Sequence, residues 1–287
     1  MSYVDAFYDK NKDLIRVVER VHGKRIYVDH KPEYVFYIAD PKGTSRSIHG
    51  KHVTEVRCKN VKEYRKNVAI NRPNETYETD IKPLNKTLAK HYLNGEPPKL
   101  QTAFFDIEVD FDPQRGYAQP EEAFMPITSI GVYLQWMDAM ICLAVPPKTL
   151  TWEQAKNISD KMPEVILFKT EKEMLQTFLQ VIEDADILSG WNSEGYDIPY
   201  TTNRIIKVLG KSETRKLCLW DQFPKERTYE AYGAERQSYD LIGRVHLDYM
   251  QLYRKYNLSL IHISEPPRRT PISYAVFCLK KISGGGG

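Results

Sequence analysis

Short runs of β-branched and aromatic residues, each closed off by turn formers, fill the first hundred positions. Residues 14–18, 25–28 and 33–38 are such runs, bounded by polar or glycine-containing stretches at 9–12, 22–24 and 40–43. Each reads as a strand. Residues 84–93 read as a helix, and Gly95 to Pro98 as a linker. The texture changes at Leu100. Residues 102–109 read as a strand, 127–136 and 140–145 as a hairpin, and 163–168 as a further strand. Thr170 and Glu173 form a capping box ahead of Met174, Leu175, Phe178, Leu179 and Ile182, the apolar face of a helix. Residues 187–191 predict a strand, 198–209 a helix, 241–247 a last strand and 249–256 a last helix. There is no internal repeat.

Three antiparallel strands followed by β-α-β-α is the order of an RNase H-like α/β domain. The expected fold class is therefore α/β, a mixed sheet with helices, preceded by a small β-rich N-terminal domain. The expected boundaries are 1–100 for the β-rich domain and 101–257 for the RNase H-like domain, with 258–287 set apart.

Two stretches carry candidate chemistry. In a strand, residues two apart share a face, so Asp106 and Glu108 stand side by side while Phe105, Ile107 and Val109 face the core. Two like charges this close repel unless a cation lies between them. Asp197 follows the strand 187–191 in a turn entering a helix, and it reaches the same point if that strand neighbours 102–109. Taken singly, Asp106 and Glu108 fit the wet edge of an amphipathic strand, and Asp197 fits a helix N-cap. Together they suggest a hard divalent metal.

Composition changes this picture little. The chain has 287 residues, 41% hydrophobic, with 19 Tyr and 10 Phe, enough for a folded core. Cys58, Cys142, Cys218 and Cys278 form no C-x-x-C pair, which favours reduced thiols in a cytoplasmic setting. No run approaches a membrane span, and residues 1–5 do not begin a secretory signal. The formal charge of +3 is carried entirely by residues 258–287, so whole-chain charge says nothing about a phosphate-rich partner. The run 59–66 reads as a solvated charged face. Residues 258–266 and 272–279 match, in order, the translated ends of a short-read sequencing adapter. The segment 258–287 is expected to be non-native, and the natural gene to continue past Asn257.

Phe105-Asp106-Ile107-Glu108 resembles the first exonuclease motif of the family B (α-like) DNA polymerases, and Asn192-x-x-x-Tyr196-Asp197 resembles the second. Ser189 to Asn192, Asp197 to Tyr200, Asn203-Arg204 and the stretch 243–253 extend the likeness over about residues 1–257. Ser47 to Lys51 resembles a short motif of the tailed-phage members. The resemblance implies an N-terminal part of a DNA-directed DNA polymerase with its proofreading 3′–5′ exonuclease. Asp106 would bridge two Mg²⁺ ions (or Mn²⁺), Glu108 would hold the nucleophile-side ion and Asp197 would serve the leaving-group side. Asn192 and Tyr196 would steady the terminal nucleotide, although Tyr196 fits a core position equally well. Trp191 reads as packing, and Asp248 as a helix N-cap. The implied partners are DNA, as a single-stranded 3′ end or primer-template, with deoxynucleotides and a sliding clamp for the whole polymerase, and no membrane.

One departure stands out. The family's third motif pairs a Tyr with an Asp four residues on, whereas here Tyr274 is followed by Cys278. Palm, fingers and thumb have no counterpart either. Little or no exonuclease turnover is expected from this chain. A stand-alone RNase H-like exonuclease and a non-catalytic nucleic-acid-binding module remain the alternatives.

Overall fold

A computed structural model describes residues 2–231 and 234–256. Asn257 and the adapter-like segment 258–287 lie outside the described residues. Contacts divide the chain between Lys99 and Leu100.

The first unit holds two small sheets. β1 (Tyr3–Asp9), β2 (Leu14–Val21) and β3 (Lys24–His30) form an antiparallel meander. β4 (Val35–Ala39), β5 (Ser45–Arg46), β6 (His52–Arg57) and, after α1 (Val61–Ile70), β7 (Thr76–Tyr77) build the second, in the order β5-β6-β4-β7. α2 (Pro83–Tyr92) starts on Pro83, a residue suited to the first helical turn, and closes a core of Ile15, Val17 and Tyr92. Sequence reading missed β1, β5, β6, β7 and α1. In the stretch 59–66, Lys59, Lys62, Arg65 and Lys66 are exposed, as expected of a solvated face, while Val61, Tyr64 and Val68 of α1 recur at helical spacing and pack on Tyr34 and Phe36.

The second unit is a mixed α/β layer structure. Its elements are β8 (Thr102–Val109), β9 (Ile127–Leu134), β10 (Ala139–Ala144), α3 (Trp152–Ser159), β11 (Val165–Leu167), α4 (Glu171–Val181), β12 (Ile187–Gly190) and α5 (Asp197–Val208). A 3₁₀ turn (Lys211–Leu217) follows, then β13 (Lys225–Ala231), β14 (Ala234–Asp240), β15 (Val245–Asp248) and α6 (Tyr249–Tyr256). Six strands run in the order β11-β10-β9-β8-β12-β15. β8, β9 and β10 are antiparallel, whereas β11, β12 and β15 each run parallel to their inner neighbour. This is the mixed sheet expected of an RNase H-like domain.

Alternation decides which face of β8 is covered. Ala103, Phe105 and Ile107 are buried, while Phe104 and Asp106 are exposed. The buried row meets Met174, Leu175, Phe178 and Leu179 of α4, with the Phe105 and Phe178 rings 5.5 Å apart. Both halves of the α4 capping box form.

Three details correct the sequence-based expectations. The last strand begins at Val245, not 241. Gly243 sits at φ +84°, and a Cβ there would meet Leu219 and Trp220 at under 3 Å, so the chain bends before the strand starts. The hairpin β13–β14 was missed because its strands are mostly polar. They are joined by the ion pair Arg227 to Asp240 at 2.7 Å. Helix α3, capped by Thr151 and Gln154, was also missed.

Candidate functional site

The site grows from the centre of the large sheet. β8 has β9 on one side and β12 on the other. Asp106 and Glu108 lie opposite Gly131 and Ser129 of β9 and share the face away from α4. The register slips between Glu108 and Val109, so a bulge lies at the end of the carboxylate pair. Thr128, inside that slip, donates its hydroxyl to the Glu108 carbonyl at 3.1 Å. Bulges beside sites of this kind re-aim side chains.

Asp197 arrives from the other side. β12 pairs with β8 through Ile187, Leu188 and Ser189, opposite Thr102, Ala103 and Phe104. The ladder stops there. The Ile107 amide lies beyond it and donates to Asp197 Oδ1 at 3.1 Å, across 90 residues of sequence. Asp197 is only 4% exposed. A buried carboxylate is costly, and an N–H donor offsets part of that cost. Asp197 thus bonds to the β8 backbone at the residue between Asp106 and Glu108. It is not the N-cap of α5. That position is Tyr196, which makes no side-chain cap bond, and Asp197 is the first helical residue.

The connection between β12 and α5 is tightly held. A Cβ on Gly190 would stand 2.6 Å from the Phe105 carbonyl oxygen, so only glycine lets β12 approach β8 here. Asn192 then takes a left-handed backbone, φ +57°, and its carbonyl accepts from Gly195 and Tyr196, each at 3.1 Å. Ser193 Oγ donates to the Gly190 carbonyl at 3.2 Å and lies 2.9 Å from His246 Nε2. Because the hydroxyl proton is engaged on Gly190, the imidazole N–H is the donor in the second bond. Burial pushes the His246 pKa down to about 4, favouring the neutral ring. The Asp248 carboxylate accepts from Asn192 N at 3.0 Å, Glu194 N at 3.2 Å and Met250 N at 2.9 Å. Burial raises its pKa above the usual carboxylate range, although those N–H donors work the other way.

The two expected substrate contacts, Asn192 and Tyr196, lie on the connection from β12 into α5. Asn192 forms the turn, its side chain lying over Gly195. Tyr196 stacks on Tyr200 at 5.3 Å, and its hydroxyl donates to the Ala118 carbonyl at 3.4 Å. Trp191 packs against Tyr249 and Tyr253, at 6.2 and 5.8 Å. With Phe104, Tyr133, Met140 and Tyr249 it walls an aromatic groove of about 470 Å³ that has Asp106 in its lining.

One face of α5 grips the long connection between β8 and β9. Tyr200 OH donates to the Met125 carbonyl at 2.8 Å, and Asn203 Nδ2 to the Pro120 carbonyl at 2.8 Å. Arg204 pairs with Glu171 through two bonds and donates to the Ala123 carbonyl at 3.0 Å. The loop's backbone acceptors, which need partners when buried, are met by side chains of the helix that begins with Asp197. Sequence reading singled out Asn203 and Arg204 without assigning them work. It left Ser193 and His246 unmarked.

Among the described residues, no group of three His, Cys, Asp or Glu side chains is placed so as to hold a metal ion, the set Asp106, Glu108 and Asp197 included. The donor set itself suits a hard cation. Asp106, Glu108 and Asp197 offer only carboxylate oxygens, and Mg²⁺ is bound through few protein carboxylates and several waters.

The model of a family described as DNA polymerase family B, exonuclease domain, matches residues 36–264. A DNA-directed DNA polymerase of Escherichia phage RB69 is 32% identical over 192 residues, covering 58% of this chain and 21% of the relative. The enzyme of the same name from Enterobacteria phage T4 is 30% identical over 106 residues, 34% of this chain and 12% of the relative. The catalytic subunit of DNA polymerase delta from Plasmodium falciparum is 24% identical over 268 residues, 84% of this chain and 22% of the relative. The chain thus spans about a fifth or less of the length of these relatives.

Proposed function

The chain belongs to the family B DNA polymerases, through their exonuclease domain, and from that premise we propose that residues 101–257 are a 3′–5′ proofreading nuclease that trims the 3′ end of single-stranded DNA. Exonuclease domains of this family are generally divalent-metal dependent, and DNA is the partner the family implies. The observation that carries the reading is the bond from the Ile107 amide to Asp197, which brings a third carboxylate to the strand that holds Asp106 and Glu108. Residues 1–100 are proposed as a separate β-rich domain of the same polymerase.

The three carboxylates would hold two Mg²⁺ ions, or Mn²⁺ in their place, with Asp106 shared, Glu108 on the nucleophile side and Asp197 on the leaving-group side. Bound there, the ions supply an acidified water and charge stabilisation at the departing 3′-oxygen. The chain's own residues do the rest. Asp106 and Glu108 lie on the sheet face away from α4. Asp197 accepts from a backbone amide, that of Ile107. Asn192 and Tyr196 are assigned to steady the terminal nucleotide; the Tyr196 hydroxyl donates to the Ala118 carbonyl and keeps its acceptor lone pairs. Turnover by this chain is slow, because Cys278 stands four residues after Tyr274, where the family pattern has a carboxylate. A small misplacement of a catalytic group already costs about 10²-fold in rate. In the whole polymerase the same reading brings primer-template, deoxynucleotides, a sliding clamp and a cytoplasmic site of action. No helix among the described residues is long and apolar enough to cross a membrane.

The test reads metal binding directly. Mn²⁺ titrated into the ¹⁵N-labelled chain should broaden the amide signals of Ile107 and its neighbours at low occupancy. Asp106→Ala should weaken that effect at least about tenfold, since even supporting residues of metal sites are worth that much. On a 5′-labelled single-stranded oligonucleotide with Mg²⁺, the chain should give at most slow shortening from the 3′ end. Broadening centred away from Ile107, or unchanged by Asp106→Ala, would overturn the metal assignment. Rapid digestion would overturn the role given to the absent carboxylate.

A further inference from the structure

We infer that Asp248 is a positioning residue for the nuclease site, locking the turn at residues 190–196 in the shape that delivers Asp197 to Ile107. The inference rests on the nuclease reading only for the use made of Asp197. As a plain helix cap, Asp248 would need just its bond to Met250 N. Two further bonds go to Asn192 N and Glu194 N, 56 and 54 residues earlier in the chain. One carboxylate, 6% exposed, thus ties the start of α6 to both ends of a three-residue segment.

That segment needs an external hold. Asn192 sits at φ +57°, a left-handed backbone that Asn adopts more readily than other residues with a Cβ but that is still uncommon. β15 pairs with β12 up to Gly190 opposite Asp248, so Asp248 stands where β12 turns away from the sheet. Two further bonds fix the same corner from β15. His246 holds Ser193, and the Leu247 carbonyl accepts from Ser189 Oγ at 2.8 Å. Asp197 enters α5 directly after this corner, and Ile198 N donates back to the Ser193 carbonyl at 2.9 Å. A shift of the corner is therefore passed to Asp197 through four residues of fixed backbone. Asp248 acts through the turn, which makes it a positioning group and not a catalytic one.

The Ile107 amide is the reporter, because its bond to Asp197 exists only while the corner holds. Hydrogen exchange is measured on the full 287-residue chain. Asp248→Ala should speed exchange at Asn192, Glu194 and Ile107 by about tenfold or more, while amides of β9 and β10 keep their protection. It should also weaken Mn²⁺ broadening at Ile107, whereas Asp106→Ala weakens the broadening and leaves Ile107 exchange unchanged. Faster exchange at Asn192 and Glu194 with Ile107 unaffected would reduce Asp248 to a local cap and overturn the proposal. No change at any of the three would overturn it as well. If Asp248→Ala loses protection everywhere, Asp248→Asn decides. It keeps one acceptor oxygen, so it should show a smaller rise at Ile107 with the sheet intact, and an unchanged Ile107 would again be fatal. Absence of Mn²⁺ broadening in the unsubstituted chain would sink the nuclease reading alone, because the exchange result does not depend on metal.

Discussion

Gly190 and Asp197 show how single residues act here through close approach. Gly190 lets β12 come against the Phe105 carbonyl, and an added methyl would overlap that oxygen at 2.6 Å. The obstacle is backbone in the middle of a sheet and cannot swing aside. Gly190→Ala should therefore cost about 2 kcal/mol in stability, the usual scale for overpacking a close-fitted core. A fall in the urea midpoint at constant slope would show it, and an unchanged midpoint would mean that β12 can move away from β8. Asp197 is the converse case, a buried polar group that the Ile107 amide helps to make tolerable. Its residue type and its place after a strand were visible in sequence. Its acceptor role toward Ile107 was not, because that bond joins positions 90 residues apart.

At the scale of elements, α4 and α5 are joined by a charge pair. Arg204 and Glu171 side chains are 11% and 13% exposed, and Glu171 also accepts from the Ile127 amide at 2.8 Å. Glu171→Ala would leave a guanidinium buried without its counter-charge and should destabilise by about 3 kcal/mol. Replacing both partners, as Glu171→Gln with Arg204→Met, should cost less than the two single changes summed, by at least about 1 kcal/mol in a double-mutant cycle. Strict additivity would show that the pair is worth no more than its separate contacts. The cap of α4 was legible because Thr170 and Glu173 are local. The pairing of its first residue, Glu171, with a residue of α5 was not, because it depends on how the helices lie on the sheet. The hairpin β13–β14 was illegible for another reason. Its strands lack the apolar alternation that marks a half-buried strand, and their order rests on cross-strand partners such as Arg227 and Asp240.

For the whole molecule, pH links the corner behind the site to global stability. Burial holds His246 at about 4 against an ordinary value of 6.5. Between those values the unfolded chain binds a proton that the folded chain does not, so stability falls as pH falls through that window. The full loss is about 3 kcal/mol. Asp248, whose carboxyl is raised by burial, contributes in the opposite sense, and comparison with His246→Gln removes it from the difference. Urea midpoints at pH 7 and pH 5 should converge in His246→Gln relative to the unsubstituted chain. Equal pH slopes in both would rule His246 out as the source. The division between what sequence and tertiary structure each determined follows the range of the interactions. Alternation along β8, the capping box of α4, the apolar face of that helix and the carboxylate pair Asp106 and Glu108 were all readable, because each depends on residues within a turn or two of one another. The parallel pairing of β12 with β8, the partner of Asp197, the bonds of Asp248 to the Asn192 and Glu194 amides and the grip of α5 on the 118–125 carbonyls were decided only by tertiary structure. Those contacts join segments 50 to 90 residues apart. Local propensity is the same whether they form or not, and burial in one shared core selects them.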